Sequence, residues 1–298
     1  MITGSQVVEI LVRTIVNGSV YALLASGLSL IYGVGRIVNL AHTAFFMLAA
    51  YGMYCFMSNL GWGPLPSIVL TLVAITLVGL LVYRFLLDRI RQHGAALLIM
   101  TVALAMALQE LMRISFHRQT TLPGSVPYLI AGDTTILGVM VEKQQLLTLG
   151  TIAGVIIILW LLLSKTKLGI AIRATANDAE VANLMGISVP RTLMLTMGIG
   201  TGLAGVAAVL MAPISGVIHY MWMKPLMMVL VIVVLGGLGS MKGSIIGALI
   251  IALVESLTFI LLPYRTYLST VFALAVMVLV LIVRPGGLFG TIFEEERL

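Results

Sequence analysis

The chain has 298 residues, 60% of them hydrophobic and only 9% charged, with 17 Lys and Arg against 11 Asp and Glu for a net charge of +6, and its mean hydropathy is +1.15. Soluble domains carry about 25% charged residues, so this composition excludes a soluble enzyme, a nucleic-acid-binding module and a disordered tail. What it leaves is a polytopic membrane protein in contact with lipid. The single cysteine, Cys55, allows no intrachain disulfide and no Cys-based metal cluster.

A spanning helix needs about 20 mostly apolar residues, at about 1.5 Å rise each. Charge-free runs place candidate spans at 14–32, 40–58, 67–87, 94–115, 144–164 and 192–213, then two on either side of a glycine cluster at 236–243, and a last one at 268–283. No Asp, Glu, Lys or Arg occurs from Ile37 to Tyr83, and the turn residues from Asn59 to Pro66 divide that stretch in two. The expected fold class is an all-α membrane protein, a polytopic helical bundle of about 8–9 transmembrane segments in a single domain, 1–298, with broken helices near 33–43 and 236–244. Met1 to Gln6 carries no basic side chain and no small-residue cleavage site, so no removable signal peptide is expected.

Cations set the expected orientation. With nine spans and a cytoplasmic C-terminus, Arg36, Arg84, Arg89, Arg91, Lys165, Lys167, Arg173, Arg191, Lys242, Arg284 and Arg297 fall inside. Arg13, Arg113, Arg118, Lys143, Lys224 and Arg265 fall outside, a bias in the usual direction. The polar loop at 116–143 is then external, either inert or a cap over the pathway. The loop at 165–191 is cytoplasmic, and its middle, 173–187, reads as one short surface helix. Asp178 and Glu180 stand early in it, Gly186 suits a left-handed stop, and Val181, Leu184 and Met185 form an apolar stripe. Such a stripe docks into a groove on another protein or packs against its own membrane helices.

Helix breaks in transporters free backbone groups to meet a polar substrate. Gly33, Gly35, Asn39, His42 and Thr43 mark one such break, and Gly236, Gly237, Gly239 and Ser240 mark the other. Both are pathway candidates, although glycine clusters also make plain turns and close helix contacts. Glu110 has Arg113 one turn on, a self-neutralising pair. Glu255 has no local partner and reads as a gate or as half of an interhelical pair. His42 has no companion at ligand spacing, so no metal is expected. There is no Walker motif, nucleophile elbow or His-Glu-x-x-His. The chain is therefore read as no enzyme and as needing no cofactor, its energy coming from an ion gradient or from separate subunits.

Asn39-Leu40-Ala41-His42-Thr43 resembles the Asn-Phe-Ala-His-Gly motif of LivH-type permeases, the membrane subunits of branched-chain amino acid ABC importers. The run from Arg173 to Ile187 is similar to that family's coupling segment, matching at Arg173, Ala174, Ala176, Asp178, Ala182, Leu184, Gly186 and Ile187, and Asn177 within it is a further coupling candidate. Leu235 to Ser240, with Gly243 and Gly247, resembles its glycine block, and Arg284-Pro285-Gly286-Gly287-Leu288-Phe289-Gly290 its usual ending. Thr43 stands where the motif has Gly, and Leu40 where it has Phe. The resemblance implies a multi-pass permease of the bacterial inner membrane that moves leucine, isoleucine or valine. Implied partners are a LivM-type second permease or a second copy of itself, two ABC ATPase subunits that hydrolyse the ATP and engage 173–187, and a periplasmic substrate-binding protein. Permeases for urea, short amides or other amino acids share much of this pattern. An ion-coupled secondary transporter is the further alternative.

Overall fold

The computed structural model describes residues 4–116, 125–136, 138–262 and 268–289. In hydrocarbon no water is available to backbone amides, so helices that satisfy their own hydrogen bonds dominate. In chain order they are α1 (Gly4–Gly35), α2 (His42–Met53), α3 (Pro64–Val82), a short α4 (Asp88–Ile90), α5 (Gly94–Ser115), α6 (Lys143–Lys165), α7 (Lys167–Asn177), α8 (Ala179–Leu184), α9 (Val189–Ser215), α10 (Met223–Gly236), α11 (Met241–Leu261) and α12 (Leu268–Val283). π-helical turns prolong α2 through Tyr54–Asn59 and join α3 to α4 through Tyr83–Leu87. Six of the described helical stretches are long and apolar enough to cross a membrane, while α10 and α12 are shorter apolar helices. The molecule is an all-α polytopic membrane protein.

Two elements differ from the sequence reading, the start of α1 and the loop at 116–143. The first span was expected at 14–32, but α1 begins at Gly4, because Glu9 and Arg13 pair one turn apart at 2.9 Å and carry the helix through its charges. Over 32 residues it is about 48 Å long, well beyond the hydrocarbon core. The loop at 116–143 contains an antiparallel hairpin, β1 (Asp133–Ile136) with β2 (Val139–Glu142), in the register Asp133 opposite Glu142.

α9 is the axis of the bundle. It packs against α1, α2, α3 and α6, and most of its length is buried. Lipid supplies no hydrophobic drive between helices, so close approach of small residues must hold them. A Cβ on Gly79 would stand 2.3 Å from Thr201 Oγ1, and one on Gly200 would stand 2.6 Å from Ile31 Cδ1. Those two glycines let α3 and α1 reach α9. Hydroxyls in the spans turn back on their own helix: Thr148, Thr192, Thr196, Thr201 and Thr258 each donate to the carbonyl four residues earlier. That is how polar side chains are tolerated at this depth.

α11 runs antiparallel to α1 along its length. Arg13 lies over the Phe259 ring at 4.2 Å, Gly18 faces Ala252, and Gly33 meets Gly239. α10 and α11 form a tight hairpin in which a Cβ on Gly236 would sit 2.3 Å from the Gly243 carbonyl carbon. The last carbonyls of α10 would be orphaned there. The segment after α12 supplies their donors: Leu288 N donates to Leu235 O at 2.8 Å and Phe289 N to Gly236 O at 3.0 Å. The Arg-Pro-Gly-Gly-Leu-Phe ending is thus a backbone cap for a different helix.

Candidate functional site

The first helix break is deeper than a turn. α1 ends where Arg36, at φ 52°, donates its amide to Tyr32 O at 2.8 Å. α2 then starts with His42 hydrogen-bonded through Nε2 to Leu24 O at 3.1 Å and packed against Gly27. The connection 36–41 therefore doubles back into the bundle, because His42 at the start of α2 reaches a carbonyl of α1 that lies well before its end. Irregular backbone at that depth must be covered by protein, and Ile37, Asn39 and Ala41 are buried. Asn39 Oδ1 accepts from Ala41 N at 3.1 Å, and its Nδ2 lies 3.7 Å from Met197 Sδ on α9.

Two cavities flank this re-entrant segment. The larger, about 400 Å³, lies between α1, α2, α9, α10 and α11 and reaches Tyr21, Leu24, Phe46, Met211, Lys224 and Glu255. Lys224 is hydrogen-bonded to Glu255 Oε1, whereas Glu255 Oε2 is buried and makes no hydrogen bond of good geometry. The second cavity, about 350 Å³, lies at the other end of α1 among Tyr32, Gly33, Arg36, Arg173, Asn177, Gly239, Ser240 and Phe289. Between them α1 runs from Leu24 to Tyr32, and Ser26 and Ser29 on that stretch are fully buried with unpartnered hydroxyls. His42 Nδ1 and Thr43 Oγ1 are also buried and unpartnered.

The residues named from sequence fall into three places. Gly33, Gly239 and Ser240 join Arg173 and Asn177 at the second cavity. That juxtaposition unites both glycine breaks with the start of the 173–187 segment. Asn39, His42 and Thr43 are fully buried and line neither cavity. Gly35 borders a gap of about 10 Å³, and Gly236 and Gly237 are buried in the α10–α11 turn, where Gly237 takes φ 100°. In this conformation these six residues are packed within the bundle and line neither of the two cavities. Ser240 caps α11 by accepting from Gly243 N at 3.1 Å.

Glu255 lines the larger cavity and has an interhelical partner, the second of its two sequence readings. Sequence reasoning missed Lys224, Tyr21, Phe46 and Met211. The only signal for Lys224 was that it stands alone among apolar residues, 31 positions from its partner. Glu110 pairs with Arg113 at 2.9 Å on the exposed face of α5, as the spacing suggested.

The segment at 173–187 is two helices rather than one. α7 ends at Asn177, and Asp178 caps α8 by accepting from Glu180 N at 2.8 Å and Val181 N at 3.0 Å. Arg173, Ala174 and Asn177 stand in the last turns of α7. In α8, Ala182 is buried and seats the helix, while Leu184 is 84% and Met185 78% exposed. Gly186 takes φ 84°, the left-handed stop expected there, and Ile187 N donates back to Ala182 O at 3.0 Å. The stripe is therefore presented outward and, among the described residues, is not packed against its own bundle.

Residues 10–281 match the family described as branched-chain amino acid transport system / permease component. The high-affinity branched-chain amino acid transport system permease protein BraD of Pseudomonas aeruginosa is 29% identical, over 94% of each chain. The corresponding LivH of Escherichia coli K12 is 29% identical over 92% of each. A probable LivH of Methanocaldococcus jannaschii is 28% identical over 97% of this chain and 94% of that one. Among solved structures, PsaBC from Streptococcus pneumoniae in complex with a Fab superposes with a TM-score of 0.52 at 16% identity, covering 91% of this chain and 90% of that chain. At that identity the likeness speaks to the fold alone. A match over nearly the whole length, on a bundle with a re-entrant second helix and an outward-facing α8, leads to one assignment: the chain belongs to the branched-chain amino acid transport system permease family.

Proposed function

We propose that this chain is the membrane subunit of an ATP-driven importer of branched-chain amino acids in the bacterial inner membrane, with its C-terminus cytoplasmic. A periplasmic binding protein delivers substrate to the larger cavity, a LivM-type permease or a second copy completes the membrane unit, and two ATPase subunits supply the power. The observation that carries this reading is α8: an apolar tip of Leu184 and Met185, held on a capped and glycine-stopped helix and left uncovered among the described residues. A rigid helix with exposed apolar residues fits a groove on a partner.

The mechanism follows from continuity. α8 is joined to α7, and α7 contributes Arg173 and Asn177 to the cavity shared with Gly33, Gly239 and Ser240. A pull on α8 reaches the end of α1 and the α10–α11 turn through that wall. The unpartnered hydroxyls of Ser26, Ser29 and Thr43 and the unpartnered Nδ1 of His42 gain water when the packed stretch between the cavities opens. This is a shear between two packed arrangements. In this account His42 and Thr43 belong to the closed gate, which keeps them on the pathway without a free surface in the closed state.

Cysteine cross-linking tests the docking. With Cys55 replaced, a cysteine at Leu184 is expected to cross-link to an ATPase subunit in the assembled complex, and one at exposed Tyr220 is not. Equal labelling at both positions, or none at Leu184, contradicts the reading.

A further inference from the structure

The larger cavity has a chemistry more specific than its size. Its walls are mostly hydrocarbon, with Val20 and Leu24 from α1, Phe46 from α2 and Met211 from α9, and carry a few neutral polar side chains, Asn17 and Tyr21 of α1 and Ser215 of α9 among them. Against them stands one ion pair, Lys224 of α10 with Glu255 of α11. The pair is unevenly satisfied. The Glu255 side chain is 10% exposed and uses Oε1 for Lys224; Oε2 makes no hydrogen bond of good geometry, and the buried Tyr21 of α1 is the other polar side chain beside the carboxylate. The Lys224 side chain is 57% exposed and has further N–H donors to offer. A buried carboxylate oxygen left unpaired is costly, and an ionisable group at this depth that does not complete its own bonding marks a binding function.

We propose that this cavity is the docking site for a zwitterionic aliphatic amino acid, with the α-ammonium donating to Glu255 Oε2, the α-carboxylate accepting from Lys224 Nζ, and the hydrocarbon side chain against Val20, Leu24, Phe46 and Met211. The inference rests on the importer reading above and deepens it by naming which residues meet which part of the substrate. The zwitterion adds two opposite charges to a pair of opposite charges, so the site stays neutral and each charge gains a partner. A neutral amide or urea offers no charge to complete the pair and no side chain for the wall. A basic or acidic amino acid places a third charge on hydrocarbon, at a large desolvation cost.

The experiment uses the whole complex in proteoliposomes, with the binding protein and ATP. Three proteins are compared: wild type, Glu255→Gln, and the double variant Lys224→Met with Glu255→Met. Exchanging a buried ion pair for apolar side chains is commonly neutral or stabilising, so the double variant separates a structural role from a binding one. Co-purification with the ATPase subunits verifies that each variant folds. Both variants are expected to lose roughly tenfold or more of ATP-driven uptake of labelled leucine, and a diazirine analogue of leucine is expected to label Phe46 or Met211 in the wild type. Wild-type uptake by the assembled double variant, or labelling confined to other helices, overturns the site while leaving the importer intact. Absence of ATP-driven leucine uptake by the assembled wild type, or transport of urea in its place, overturns the importer reading and the site with it.

Discussion

Gly186 shows how one residue carries a mechanical role. At φ 84° it ends α8 and lets Ile187 turn back toward Ala182. A β-branched residue in that conformation costs roughly 1–2 kcal/mol, which the six-residue α8 has few contacts to offset. Gly186→Val is expected to leave the complex assembled and to lower the number of leucine molecules imported per ATP hydrolysed. An unchanged ratio contradicts the transmitting role of α8. Gly79 makes a different argument, from space. Its missing Cβ is the room in which Thr201 sits. Overpacking a well-packed interior typically costs about 1–3 kcal/mol, so Gly79→Ala is expected to lower the thermal midpoint in detergent. Equal midpoints for Gly79→Ala and wild type contradict the close approach of α3 to α9.

Among the elements, the α10–α11 hairpin and its cap from the C-terminal segment are the clearest case of a helix end secured by distant sequence. Leu288→Pro removes the amide that donates to Leu235 O. Leaving a buried carbonyl unpaired costs about 1–3 kcal/mol. Faster amide exchange in the last turn of α10 is expected, with α3 and α5 unaffected, and an unaltered pattern rules the cap out. What the sequence made legible at this scale follows from physics of short range. The spans after residue 90 were readable because charge-free runs leave few alternatives in lipid. The left-handed stop at Gly186 and the apolar stripe were readable from spacing alone, whereas the direction in which the stripe faces was not. The break at Asp178 was missed because its side chain caps α8 through two amides, a geometry that competes equally with helix continuation in sequence. The depth of the 36–41 segment was missed because it depends on the contact of His42 with Leu24, a tertiary fact. The cavity was missed for the same reason, since its wall comes from five helices far apart in the chain.

At the scale of the molecule, two cavities stand at opposite ends of one packed stretch, α8 is continuous with the wall of the second, and the charge pair stands at the first. This arrangement suits a machine driven from outside the membrane better than one driven by ions, since the Glu255 carboxylate already has Lys224 beside it. ATP-driven uptake of labelled leucine in proteoliposomes, measured with the full set of subunits and again with each one omitted, is the most direct test. The account predicts uptake that requires ATP, the binding protein and both ATPase subunits, and that persists when ion gradients are collapsed. Uptake by the purified chain alone under an imposed ion gradient, without ATPase subunits, would contradict it.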